Sequence, residues 1–174
     1  MFNMFVPDIY QKSIYDIDYK KLYKNGIKCL IFDLDNTMTP VNIKSPNKKL
    51  KDLMEDLKNM KFKLLIVSNA TKKRVEPFKD ILCIDSSYLS FKPLKRKYVR
   101  ILKIYKFKEN EIACIGDQLL TDILGANRMG FTSILVNPIG KIDFALTKTN
   151  RLIENTIFNK LEKRELLKKG KYYE

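Results

Sequence analysis

Four short stretches of this chain concentrate side chains able to do chemistry. DLDNT supplies Asp33, Asp35 and Thr37, and VSNA supplies Ser68 and Asn69. FKP supplies Lys92, and GDQLLTD supplies Asp117 and Asp122. Carboxylates gathered in one place repel one another unless a cation sits between them, and oxygen ligands beside a phosphate favour Mg²⁺. With that charge offset, a carboxylate can attack phosphorus, splitting one hard hydrolysis into two steps through an aspartyl-phosphate. A second carboxylate two residues on can protonate the leaving group and then activate water. A serine hydroxyl, a backbone N–H and a lysine can hold the phosphoryl oxygens as charge shifts.

These groups can cooperate only if the fold brings them together. KCLIFD (28–33), KLLIVS (63–68), EIACIG (111–116) and TSILV (132–136) are short apolar runs that read as buried strands. A weaker strand is expected around Leu82–Ile84. Between the strands lie stretches with helical spacing: 48–60, with Leu50, Leu53, Met54 and Leu57; a short helix after Thr71, interrupted near Pro77; 94–105; and 119–129. Strands alternating with helices imply a Rossmann-like α/β fold, a parallel sheet with helices on both faces. In such sheets ligands bind beyond the carboxyl ends of the strands. Counting the weak strand as the third, Asp33, Asp35 and Thr37 follow the first strand, Ser68 and Asn69 the second, and Asp117 and Asp122 the fourth, EIACIG. Lys92 precedes the helix that feeds the fourth strand.

The residues also exclude several chemistries. The chain has no histidine, which removes Ser-His-Asp hydrolysis, H-E-x-x-H zinc sites and phosphohistidine transfer. A cysteine phosphatase needs C-x₅-R, but Asp35, Leu89 and Leu120 stand at the arginine position after Cys29, Cys83 and Cys114. Gly125 and Gly130 have P-loop spacing, yet Phe131 and Thr132 follow in place of Lys and Ser/Thr. A response-regulator receiver would carry its aspartate after the third strand. Three cysteines without C-x-x-C spacing form neither a disulfide framework nor a zinc site, and are expected to be small buried hydrophobes.

The 174 residues suit one domain over 1–174, with an N-terminal extension over 1–25 and a basic C-terminal helix over about 147–174. No apolar run approaches the ~20 residues of a membrane-spanning helix. The start MFNMFVPDIY lacks the charged and apolar regions of a signal peptide, so a cytoplasmic protein is expected. The net charge of +14 points to a polyanionic partner, either an anionic membrane surface or nucleic acid. A biased Lys, Ile and Asn composition is the plainer account of the same number. Oligomeric state is not legible.

Asp33-x-Asp35-x-Thr37, Ser68, Lys92-Pro93 and Gly116-Asp117…Asp122 resemble the four ordered motifs of the haloacid dehalogenase (HAD) phosphatases. The resemblance implies Asp33 as nucleophile and Asp35 as general acid/base, with Ser68, Asn69 and Lys92 on the phosphoryl group. It also implies Mg²⁺ held by Asp33, the Asp35 carbonyl and Asp117, with Thr37 and Asp122 behind them and Asp122 orienting Lys92 or metal-bound water. Many members insert a lid domain between the first and second or the second and third motifs. Here residues 38–67 and 70–91 leave room only for a loop, helices and a strand, so no cap domain is expected. An open site suits a phosphate on something large.

Lys72, Lys73 and Arg74 follow the second motif, and Lys95, Arg96 and Lys97 follow the third. Cations at helix starts oppose the macrodipole, so their placement favours an anionic partner at the site. Residues 2–165 resemble the YqeG-type branch, which is similar to mitochondrial and plant phosphatidylglycerophosphatases. The resemblance implies hydrolysis of phosphatidylglycerophosphate to phosphatidylglycerol by a protein peripheral to the inner face of the membrane. Phe2, Met4, Phe5 and the basic terminal helix would either dock on that surface, or pack on the core or serve dimerisation. Two other readings stand beside this one: a nucleic-acid 3′-phosphate or soluble phosphate ester as substrate, and a non-catalytic RNA- or ribosome-binding adaptor with a HAD fold.

Overall fold

The structure, a computed structural model, describes residues 2–140 and 145–174, with side chains for 3–140 and 151–174. Six parallel strands form one sheet: β1 (Ile9–Gln11), β2 (Cys29–Phe32), β3 (Lys63–Val67), β4 (Asp85–Ser87), β5 (Ile112–Gly116) and β6 (Thr132–Val136). Their spatial order is β1-β6-β5-β2-β3-β4. Six α-helices accompany them among the described residues: α1 (Tyr19–Lys24), α2 (Lys48–Asn59), α3 (Lys72–Leu82), α4 (Arg96–Tyr105), α5 (Leu124–Met129) and α6 (Ala145–Lys163).

The period-2 alternation of strand side chains explains the layers. Along β2, Leu30 and Phe32 face one way and Cys29 and Ile31 the other, and all four are buried. The first pair packs with Leu50, Met54 and Leu57 of α2 and Val75, Phe78 and Leu82 of α3. The second packs with Tyr98 and Ile101 of α4, Ala126 of α5 and Phe131. A third cluster joins Tyr10, Leu119, Ile123 and Leu135 to Ile157 and Leu161 of α6. The terminal helix therefore packs on the core, and Phe5 lies against the same cluster. No helix among the described residues is long and apolar enough to cross a membrane.

Several details depart from the sequence reading. The N-terminal extension contains α1 and the edge strand β1, whose Ile9 pairs with Ile134. Three residues of strand are too few for a period to show. Helix α3 runs through Pro77, which removes one hydrogen bond, the one to the Lys73 carbonyl, while buried Val75, Phe78 and Leu82 hold the helix in place. Leu82 ends that helix instead of opening a strand, and β4 begins at Asp85. The 119–129 helix opens with a π-helical turn over Leu119–Ile123. Cys29 and Cys114 are buried as expected, but Cys83 is exposed in the left-handed residue that caps α3.

Candidate active site

The topology creates the site. From β2 the chain moves outward through β3 and β4 on one side, whereas β5 and β6 lie on the other, so the winding direction reverses between β2 and β5. Such a switch point opens a crevice at the carboxyl edge. Phe32 and Ile115 are register partners, and the Asp33 N–H donates to the Ile115 carbonyl at 2.9 Å. Asp33 and Asp117 are thereby brought side by side. Ser68 directly follows β3, with its N–H on the Ser87 carbonyl at 2.9 Å.

Lys92 joins the strand ends. Its Nζ donates to Asp33 Oδ1 at 2.5 Å and to Asp122 Oδ1 at 2.6 Å, and all three side chains are buried. Burial alone would lower the Lys92 pKa, but Asp122 and Asp33 outweigh it and hold the ammonium above its usual value. Burial pushes Asp33 upward, opposed by Lys92 and reinforced by Asp122 and Asp117. Asp122 comes this close because residue 116 is glycine: a Cβ there would overlap the Asp122 carboxyl group.

Asn69, a residue the sequence reading assigns to the phosphoryl group, holds the Lys92 backbone: its Oδ1 accepts from the Lys92 N–H at 2.7 Å and its Nδ2 donates to the Lys92 carbonyl at 3.3 Å. Ser68 is buried, its hydroxyl accepting from the Ala70 N–H at 3.1 Å. Thr37 donates to Asp117 Oδ1 at 3.0 Å.

Two arginines complete the constellation. Arg74, expected to face an anionic partner, turns inward onto a carboxylate. Its Nε and Nη2 reach Asp35 Oδ1 at 2.9 and 2.8 Å, and it also donates to the Pro40 and Ile43 carbonyls. Burial raises Asp35 even so, against the pull of Arg74. Arg151 of α6 donates to the Asp117 carboxylate and, at 3.2 Å, to the Asp117 carbonyl and to Glu154. Glu154 accepts from the Leu120 N–H at 2.9 Å, and burial pushes its pKa up to about 7. Burial also raises Asp117, opposed by Arg151. Lys72, Lys73, Lys95, Arg96 and Lys97 all remain outside this cluster.

Asp33, Asp117 and Asp122 each bring a carboxylate oxygen within 4.8 Å of the other two. The donors are all hard oxygens, the set that suits a divalent cation such as Mg²⁺. The side chain of Asp35 is absent from this set because it faces Arg74.

Arg151 and Glu154 were not singled out from sequence. The available signal was Glu154 itself, one turn before Ile157 and two before Leu161 on the apolar stripe of α6. A charge on a buried stripe needs a partner, and Arg151 lies one turn back.

Residues 41–130 match the haloacid dehalogenase-like hydrolase family, a span that includes Ser68, Lys92, Asp117 and Asp122 and starts after Asp33 and Asp35. A relative named "Probable phosphatase YqeG", from Bacillus subtilis, is 36% identical over 160 residues, covering 92% of this chain and 93% of that one. Among solved structures, the cobalt-bound deoxy-D-mannose-octulosonate 8-phosphate phosphatase of Haemophilus influenzae aligns with TM-score 0.56 at 17% identity, covering 80% of this chain and 90% of that one. The D,D-heptose 1,7-bisphosphate phosphatase of B. bronchiseptica, complexed with magnesium and phosphate, aligns with TM-score 0.51 at 16% identity, covering 63% and 80%.

Proposed function

We propose that this chain, which belongs to the haloacid dehalogenase-like hydrolase family in its YqeG-type branch and is a phosphatase, releases phosphate from phosphatidylglycerophosphate to leave phosphatidylglycerol. The observation that carries the mechanism is the buried Asp33–Lys92–Asp122 array at the switch point of an uncapped sheet.

Asp33 attacks phosphorus, the bond to the ester oxygen breaks, and Asp35 gives its proton to the departing alkoxide. Asp35 then takes a proton from water, whose oxygen attacks phosphorus and breaks the bond to Asp33, freeing phosphate. Lys92 and Ser68 hold the phosphoryl oxygens while charge moves onto them. Asn69 fixes Lys92, and Arg74 fixes Asp35. A magnesium ion held by Asp33, Asp117 and the Asp35 carbonyl, with Asp122 beside them, would offset the repulsion between the phosphate and the attacking carboxylate.

The lipid substrate is supported by the absence of a cap domain among the described residues, the net charge of +14 and the YqeG-type relationship. An enzyme without a lid can work on a phosphate that stays attached to a bilayer, which places the protein on the membrane surface during turnover. The test is phosphate release from phosphatidylglycerophosphate in mixed micelles with Mg²⁺, comparing wild type with Asp33→Asn. Release that disappears in the variant and with chelator is expected. Hydrolysis of an aryl phosphate through Asp33, with the lipid untouched, would remove the lipid and keep the mechanism.

A further inference from the structure

The segment leading into Lys92 has an unusual backbone. Leu89 and Phe91 are both left-handed, with φ of 44° and 53°. Bulky residues rarely adopt that conformation, and when they do the surroundings must enforce it. The enforcing bonds are present. The Leu89 N–H donates to the Ala70 carbonyl at 2.9 Å, the Ser90 N–H to the Ser68 carbonyl at 3.0 Å, and the Lys92 N–H to Asn69. The loop is thus laced to the segment that follows β3. Ser90 points inward and is buried, while Leu89, Phe91 and Leu94 are 43, 64 and 56% exposed. With Tyr88 these apolar groups line a cavity of about 450 Å³, whose remaining wall includes Arg96, Lys97 and Arg100 of α4. Among the described residues none of these three cations is ion-paired to a carboxylate. Tyr88, Lys97 and Arg100 also border a second cavity that continues along α4 to exposed Ile104.

Exposed aliphatic and aromatic groups beside unneutralised cations form a surface with two demands, hydrocarbon and negative charge. We infer that the Tyr88–Leu94 loop and the cations of α4 form the surface by which the protein docks on an anionic lipid bilayer. The inference rests on the lipid-phosphatase reading and names the part of the molecule that meets the membrane. Leu89 and Leu94 favour this partner over a nucleic acid, because aliphatic groups gain from hydrocarbon and offer bases no ring to stack on. Charge complementarity supplies the second argument: Arg96, Lys97 and Arg100 suit anionic headgroups, and Tyr88 suits the level of the headgroups. Position supplies the third. Phe91 directly precedes Lys92, so one loop carries both the docking surface and the phosphate-binding ammonium, with Phe91 facing outward and Lys92 facing the carboxylates. The strained loop keeps Leu89 and Phe91 presented before the bilayer is met, so little ordering remains to be done on binding.

Asparagine tolerates the left-handed backbone, so Leu89→Asn/Phe91→Asn removes the apolar groups and leaves the loop's conformation accessible. The measurement is co-sedimentation with phosphatidylglycerol–phosphatidylcholine vesicles and with pure phosphatidylcholine vesicles, alongside aryl phosphate hydrolysis. Wild type is expected to prefer the anionic vesicles. The asparagine variant is expected to bind them at least about tenfold more weakly while hydrolysing the aryl phosphate at the wild-type rate. Arg96→Glu/Lys97→Glu/Arg100→Glu is expected to lose the preference for anionic over neutral vesicles. Asparagine and glutamate variants that both bind like wild type overturn the inference, as does a wild type that binds single-stranded RNA and no vesicle. Hydrolysis of the lipid dispersed in detergent micelles is read separately. If it persists while the variants bind vesicles normally, the substrate reading stands and only the docking surface falls.

Discussion

The guanidinium of Arg151 binds Asp117 twice, at the carboxylate and at the main-chain carbonyl, so a side chain from the last helix reaches the carboxyl edge of β5. A positive charge therefore already sits against one of three clustered carboxylates, and a divalent cation held by that cluster would share Asp117 with it. Arg151→Gln removes that competitor. Magnesium binding measured by calorimetry is expected to tighten by about tenfold, since a charge this close is worth more than ~1 kcal/mol even when well screened. Metal-free variant protein is expected to melt earlier, because the buried Asp117 loses its partner. Weaker magnesium binding would instead make Arg151 a residue that holds Asp117 in position for the cation.

Lys92 is the only cation in contact with both Asp33 and Asp122 among the described residues. Lys92→Met keeps its bulk and strands two buried carboxylates. Breaking a buried pair in this way costs about 3–5 kcal/mol. The loss has a sign in pH. Without Lys92 the group opposing the rise of Asp33 is lost and its carboxyl is pushed further up, so the difference from wild type should be smaller near about pH 6 and larger near about pH 9, above the value of about 8 at which wild-type Asp33 ionises. Urea unfolding at the two pH values checks this. Magnesium should recover the stability at high pH but not the phosphatase rate, and a variant as stable as wild type at high pH without metal would contradict the account.

The acidic array was legible in the sequence because two regularities coincide. Strands buried on both faces read as short apolar runs, and the polar residue ending each run must stand at the sheet's carboxyl edge. Asp33, Ser68 and Asp117 each end such a run, so their convergence follows from topology. Arg74 and Arg151 carried no comparable mark. A cation at the start of α3 looks the same whether it faces solvent or Asp35, and the choice is made by the loop that supplies the Pro40 and Ile43 carbonyls. β1 and β4 were missed or displaced for a different reason. Each has only three residues, and Asp85–Ser87 contains no apolar side chain, so pairing with β6 and β3 decides their state.

Gly116 is needed for close approach. Gly116→Ala would drive Asp122 away from Lys92, since the added methyl overlaps the carboxyl group itself. A misplacement of about 1 Å beside the reacting groups can lower the rate by about 100-fold. Steady-state hydrolysis of an aryl phosphate is expected to show that loss mainly in kcat, with the fold retained by circular dichroism. A wild-type rate in the variant would mean that the contact between Asp122 and Lys92 is not required.

Glu154 gives α6 a pH dependence whose sign can be worked out. Its pKa rises from an ordinary 4.5 to about 7 on folding, chiefly through burial. Between those values the folded protein holds a proton that the unfolded chain releases, so stability is full below about pH 4.5 and falls as pH rises through about 7. The shift corresponds to at most about 3–4 kcal/mol, or roughly 7–14 °C in melting temperature for a chain of this size. Asp33 and Asp117 are raised as well and steepen the fall in the same direction. Glu154→Gln keeps an oxygen to accept from the Leu120 N–H and removes the ionisation. In chelator, its melting temperature is expected to decline less between about pH 5 and about pH 8 than that of wild type. In magnesium the wild-type slope is expected to flatten further, because a bound cation holds Asp33 and Asp117 ionised across the window. Identical slopes for wild type and Glu154→Gln in chelator would show that Glu154 is charged in the fold throughout, and that Arg151 compensates it fully.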